Sequence, residues 1–157
     1  MELTLPSDRE IVMTRVFDAP RAIVFDAFIK PELVQRWSLG PDGWSMPICE
    51  IEPRAGGPYR FVWRSDGDGH EFSVVGTHLE FVPPERIVRT ERFDDPDMPG
   101  ETIVTIVFAE LGGSTTMTMS VLHPSHESRN QMLETGMERG VTASFDRLAG
   151  ILDRTPA

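Results

Sequence analysis

The chain has few of the residues that most often announce chemistry. Its 157 residues include one cysteine, Cys49, which excludes an internal disulfide and a cysteine-built zinc cluster. The surrounding MPICEIEP reads as a strand, so Cys49 is taken as a small buried apolar residue rather than a nucleophile. Basic residues are also scarce: 15 Lys and Arg stand against 25 Asp and Glu, a formal charge of −10. That balance opposes binding to a phosphate backbone, and no Arg/Lys stripe interleaved with aromatics offsets it. No nucleic-acid partner is expected.

Long apolar runs are missing too. None approaches the roughly 18 residues of a membrane span. The opening MELTLPSDREIVMTR places acids and breakers where a signal peptide has a basic start and an apolar run. No membrane partner and a cytoplasmic location are therefore expected. There is no G-x-S-x-G elbow, H-E-x-x-H or P-loop, and DGDG at 66–69 is too short for a calcium loop. His123 and His126 stand three apart, but a turn composition between them and no third ligand argue against a metal site. No motif asks for a cofactor.

What is present is ordinary globular composition, 39% apolar and 25% charged, in a length that suits one domain over 1–157. Residues 1–9 read as a flexible lead-in and 154–157 as a tail. EIVMTRVF at 10–17 is a first strand. Asp18 can cap a helix that starts near Pro20, with Ile23, Val24, Ala27 and Phe28 on one face. PELVQRW at 31–37 makes a second short helix. Six strands follow: Met46–Glu52, Tyr59–Ser65, His70–Phe81, Arg86–Phe93, Glu101–Glu110 and Ser114–Leu122. Turn compositions separate them and no helix crosses between them, which predicts an antiparallel meander. Several strands offer apolar residues on both faces, so alternation alone leaves open which face is inside.

A final helix is predicted from about Ser125 to Asp153. Leu133, Met137, Val141, Phe145, Leu148 and Leu152 recur at spacings of three and four. Gly136, Gly140 and Ser144 form a row of small residues beside that stripe. An interior glycine weakens a helix by about 0.8–1.0 kcal/mol relative to alanine, so the row predicts close backbone approach to a sheet, a loop or a partner.

Five segments carry a wider resemblance: TRVFDAPRAIVFDAFIKPELVQRW at 14–37, CEIEPRAGGPYRFVW at 49–63, GTHLEFVPPERIVRTERF at 76–93, VTIVFAELGGSTTMTMS at 104–120 and GMERGVTASFDRLAGIL at 136–152. Together they resemble the START-like, or SRPBCC, superfamily, in its AHSA-like branch, which is similar to the activator domain of the heat-shock chaperone ATPase. The resemblance implies an α+β helix-grip fold: a curved antiparallel sheet of six or seven strands around a long C-terminal helix, with two short helices after the first strand. It also implies a cavity between sheet and helices. Many relatives carry tryptophan where this chain has Met137, which alters the expected pocket shape.

The candidate pocket wall joins Trp37 and Trp44 near the mouth to Phe61, Trp63, Phe72, Val74 and His78 on strands. Met117 and Met119 add sheet residues, and Met137, Val141 and Phe145 add the helix. Arg60, Arg64, Arg89 or His78 can orient an oxygen or a carboxylate wherever strand parity turns them inward. The function read from this is a small hydrophobic ligand-binding module, holding an apolar or amphipathic molecule by burial and orientation, in a pocket of about 300 Å³ or more. Two alternatives stand beside it. One is an enzyme of cyclase, dehydratase or hydrolase type in the same pocket, with His78, Arg89 and Glu91 as catalytic candidates. The other is a chaperone-related protein-interaction domain. Edge strands permit a homodimer.

Overall fold

A computed structural model describes residues 1–96 and 100–153. The expected tail over 154–157 lies outside them, as do residues 97–99 of the turn expected after the strand ending at Phe93. Eight strands form one antiparallel sheet. They are β1 (Glu2–Thr4), β2 (Glu10–Phe17), β3 (Trp44–Ile51), β4 (Pro58–Ser65), β5 (Glu71–Val82), β6 (Arg86–Phe93), β7 (Thr102–Leu111) and β8 (Ser114–Leu122). Spatial order is β1-β2-β8-β7-β6-β5-β4-β3. The chain therefore lays β2 near one edge, crosses through α1 (Arg21–Ile29) and α2 (Pro31–Trp37) to the far edge, and meanders back. The sheet has one strand more than the six or seven expected. The segment read as a flexible lead-in contains β1, whose Glu2, Leu3 and Thr4 pair with Thr14, Met13 and Val12.

The structure resolves the two-sided strands. On β7, Val104, Ile106 and Phe108 are buried while Ile103 is exposed, so the first set faces the helices. The same face takes Met117 of β8 and Ile11, Met13 and Phe17 of β2. A bulge shifts the β5–β6 register between His78 and Glu80, leaving Leu79 as the extra residue. The bulge lets His78 and Phe81, three apart, share the inner face, where their rings lie 5.4 Å apart. It also puts His78 and Glu80, two apart in the chain, on opposite faces; Glu80 is outside, 3.5 Å from Arg86.

The predicted final helix is two helices, α3 (His126–Glu134) and α4 (Met137–Asp153). Gly136 sits between them at φ +78°, a left-handed position that favours glycine. Its amide donates to the Leu133 carbonyl. Gly140 fits the close-approach expectation: a Cβ there would lie 3.3 Å from Pro41 Cδ. Around Gly150 nothing lies within 4 Å, and the structure gives no reason for that glycine. Ser125 caps α3 by accepting from the Ser128 amide at 3.0 Å. Asp18 does not cap α1; it accepts from Ser114 at 3.1 Å, while the Arg21 amide donates to Glu110 at 2.6 Å.

Two apolar clusters lie on the inner face. The larger joins α1, Trp37, Phe145, Leu148 and Leu152 to Phe17, Ile87, Ile106, Phe108 and Met117. The smaller joins Val34 of α2 to Met46, Tyr59, Phe61 and Val74, with Trp63 and Phe93 packed at its margin.

Candidate functional site

The smaller cluster continues into a row of aromatic rings. Phe61 and Trp63 alternate along β4 on the inner face; their centroids are 5.8 Å apart. Trp63 pairs across the ladder with Phe72 of β5, and the two stack at 5.0 Å with 19° between their planes. Phe72 in turn meets Phe93 at 6.3 Å and Trp44 at 5.4 Å. Trp44, Trp63, Phe72 and Phe93 are half-buried, so the row keeps solvent-accessible apolar surface. The Trp63 indole N–H donates to the Ser38 carbonyl at 2.7 Å, tying the row to the loop after α2.

At the Phe61 end of the row stand two buried polar side chains. His78 on β5 pairs directly with Arg89 on β6, so both point the same way. His78 is 1% exposed and Arg89 7%. His78 Nδ1 lies 3.1 Å from the Gly57 carbonyl. A carbonyl only accepts, so Nδ1 carries the proton and Nε2 is a bare acceptor; Nε2 is buried with no partner among the described residues. Burial, reinforced by the Arg89 charge, lowers the His78 pKa, keeping the ring neutral near pH 7.

Arg89 lies over Tyr59, its guanidinium carbon 4.7 Å from that ring centroid and 5.6 Å from that of Phe61. Its Nε is also buried and unpartnered among the described residues. Tyr59 is held in place by its hydroxyl, which donates to the Thr90 carbonyl at 2.6 Å. The phenol crosses β5 over Gly76, where a Cβ would lie 2.6 Å from Tyr59 Cε1 and collide with the Thr90 carbonyl oxygen. Gly76 is therefore what allows the tyrosine to reach β6. Burial also raises the Tyr59 pKa.

Glu91 follows Arg89 on the same face of β6. Desolvation raises its pKa and the Arg89 charge opposes the rise. Glu91 lines a small cleft between the β6–β7 end of the sheet and α3, with Phe93, Thr102, His123, Gln131 and Met132 among its other walls. The cleft measures about 20 Å³, room for about one water. His123 is 2% exposed; its Nε2 has no partner among the described residues, and burial lowers its pKa.

The wall expected from the sequence is thus divided. Trp37, Met117 and Phe145 belong to the filled interior: Trp37 lies 4.8 Å from Phe28 and 6.0 Å from Phe145, and its indole N–H donates to the Ala27 carbonyl at 2.8 Å. Met119 and Val141 are half-buried and pack on that cluster, while Met137 is half-buried at the start of α4. Beside the C-terminal half of α4 the side chains of that cluster pack on one another, Phe17, Ile106 and Phe108 among them. Phe61, Val74, Trp63, Phe72, Trp44, His78 and Arg89 gather in the other half of the sheet. Arg60 and Arg64 face outward, paired with Glu50 at 3.7 Å and Glu71 at 2.6 Å. Cys49 is half-buried and its thiol pKa is pushed up to about 11, mainly by burial, so it stays protonated near neutral pH.

The wall expected from the sequence did not include Tyr59, Phe93, Thr102 or His123. Tyr59 was legible as the first member of the Tyr59, Phe61, Trp63 alternation. His123 entered only with His126, as a metal pair that the turn between them argued against.

A family model described as activator of Hsp90 ATPase homolog 1-like protein matches residues 18–153. Among solved structures, a Rhodobacter sphaeroides protein superposes with a TM-score of 0.91 at 26% identity, over 98% of this chain and 99% of its own. A Chromobacterium violaceum protein does so at 0.78 and 29%, over 95% and 100%. A Mycobacterium smegmatis protein shares the fold at 0.86 and 19%, over 100% and 99%. No curated protein matches the chain.

Proposed function

The chain belongs to the activator of Hsp90 ATPase homolog 1-like family, with the helix-grip fold of START-like domains, and on that premise we propose that it binds a small, largely apolar molecule. The site is the inner face of β3–β6, away from the filled half beneath α4. The observation that carries this reading is the half-buried ring row of Trp44, Phe72, Trp63 and Phe93. Stacked aromatic faces that keep contact with solvent offer a flat apolar guest large contact area at small ordering cost.

The mechanism is burial and orientation. A guest of ordinary size gains roughly 25 cal/mol per Å² of apolar surface removed from water, less the cost of ordering. The existing cleft is too small to hold it. The guest is therefore placed on the half-buried ring row itself rather than in that cleft.

The test is titration with an uncharged fluorescent arene, N-phenyl-1-naphthylamine. Saturable one-to-one binding, weakened about tenfold or more by Trp63→Ala with Phe72→Ala, is the expected result. Absence of saturable binding, or binding indifferent to that double substitution, overturns the reading. Native mass spectrometry of the protein from its own source would then identify the guest.

A further inference from the structure

Arg89 is a buried charge that no described carboxylate meets within 4 Å; the nearby acid of Glu91 acts on it only through its field. Among the described residues it makes no hydrogen bond and no ion pair within 4 Å, yet it is only 7% exposed. Buried guanidinium groups are normally met by a carboxylate or by several carbonyl oxygens, because desolvation is costly. Here the contacts are the faces of Tyr59 and Phe61, which offset only part of that cost. The ring row starts at the same place: Phe61 leads to Trp63, Phe72 and Phe93 by successive contacts. One end of a continuous apolar track therefore carries a positive charge that no described carboxylate meets within 4 Å.

We propose that Arg89 is the recognition group for an organic monoanion whose aromatic or branched apolar body lies along Phe61, Trp63 and Phe72. The inference rests on the ligand-binding reading above and names the class of molecule bound. A carboxylate or comparable anion supplies the planar acceptors that a guanidinium fork meets best. His78 adds no charge at neutral pH, because burial and Arg89 both depress its pKa. Glu91, the neighbouring inward acid, competes with the anion for the field of Arg89; its raised pKa reflects how poorly that position supports a carboxylate. The overall charge of −10 repels anions at long range, so selection falls to this short-range contact.

Two probes with the same arene body isolate the charge: 1-anilinonaphthalene-8-sulfonate, and N-phenyl-1-naphthylamine, which lacks the sulfonate. The wild-type chain is expected to bind the sulfonate about tenfold or more tightly than the neutral probe, the size of one charge-assisted contact. Arg89→Met removes that preference, so that the two probes bind within about threefold of each other; Arg89→Lys retains part of it. Glu91→Gln strengthens sulfonate binding by removing the competing acid. Without any probe, Arg89→Met melts at or above the wild-type temperature, because an unpaired buried charge has been replaced by an apolar chain.

If Arg89 serves only to brace Tyr59 and Phe61, Arg89→Met lowers the melting temperature and weakens both probes equally, which overturns the proposal. Should that variant not fold, the wild-type preference and the Arg89→Lys and Glu91→Gln responses still decide it. Neutral binding without preference for the sulfonate refutes this inference and spares the ligand-binding reading. Binding of neither probe removes both.

Discussion

One sheet supports two differently finished interiors. Beneath α1 and α4, the inward residues of β2, β7 and β8 meet helix residues ring to ring: Phe17 and Phe145 are 6.1 Å apart, and Phe28 and Phe108 are 5.2 Å apart. Apart from Thr115, which donates to the Ala19 carbonyl at 2.7 Å, polar groups are scarce there. Over β4–β6 the same inner face carries half-buried rings, and an arginine Nε and a histidine Nε2 that are buried with no partner among the described residues. Close packing stabilises the first half and leaves no room for a guest. The second half retains polar groups whose burial opposes stability, and such groups concentrate where proteins bind or react.

The sharpest test of the contrast compares two phenylalanines. Phe145→Ala is expected to cost about 3–5 kcal/mol in chemical denaturation, the range for truncating a packed aromatic. Phe93→Ala, at the margin of the second half, should cost less than half as much. Equal losses would mean that the two halves are packed alike.

Gly76→Ala probes the second half from its backbone. The added methyl has to displace the Thr90 carbonyl or Tyr59, so about 1–3 kcal/mol of stability should be lost. The Tyr59 platform beneath Arg89 should be disturbed with it. An unchanged melting temperature would show that Tyr59 does not depend on the missing side chain.

The buried histidines predict an acid response. His78 and His123 have folded pKa values below the ordinary 6.5, so the unfolded chain binds protons more readily than the folded one. Their contribution is complete above about pH 6.5 and is lost as the pH falls below it. Melting temperatures should decline below that point, and His78→Gln should flatten the decline. A profile unchanged by His78→Gln would place the proton uptake elsewhere.

The smallest effects distinguish glycines on α4. Gly150→Ala should stabilise by up to about 1 kcal/mol, since the space is open and alanine favours helix. Gly140→Ala should gain less or nothing, because Pro41 Cδ would lie 3.3 Å from the new Cβ. Matching gains at both positions would remove the role given to the contact with Pro41.

Much of this contrast was readable before the structure. Alternation along YRFVWR put Phe61 and Trp63 together, and the β6 pattern put Arg89 with Glu91. What escaped is equally specific. β1 has three residues, too few to show a period. The break at Gly136 was masked because Leu133, Met137 and Val141 carry the apolar spacing straight through it. Nor could the sequence say that Trp37, Met117 and Phe145 join the larger apolar cluster, because an apolar stripe looks the same whether it lines a cavity or fills one.

The order of residues by itself determined the α+β class, seven of the eight strands, the amphipathic C-terminal segment and the acidic, cysteine-poor character of the molecule. Those properties follow from local periodicity and composition, which act between near neighbours in the chain. Only the tertiary structure decided that His78 faces inward beside Phe81, that Arg60 and Arg64 face outward, and that Arg89 is buried with no described carboxylate within 4 Å. A bulge, a strand partner and the reach of Tyr59 across Gly76 set those outcomes. Each depends on contacts between strands that the linear chain does not specify.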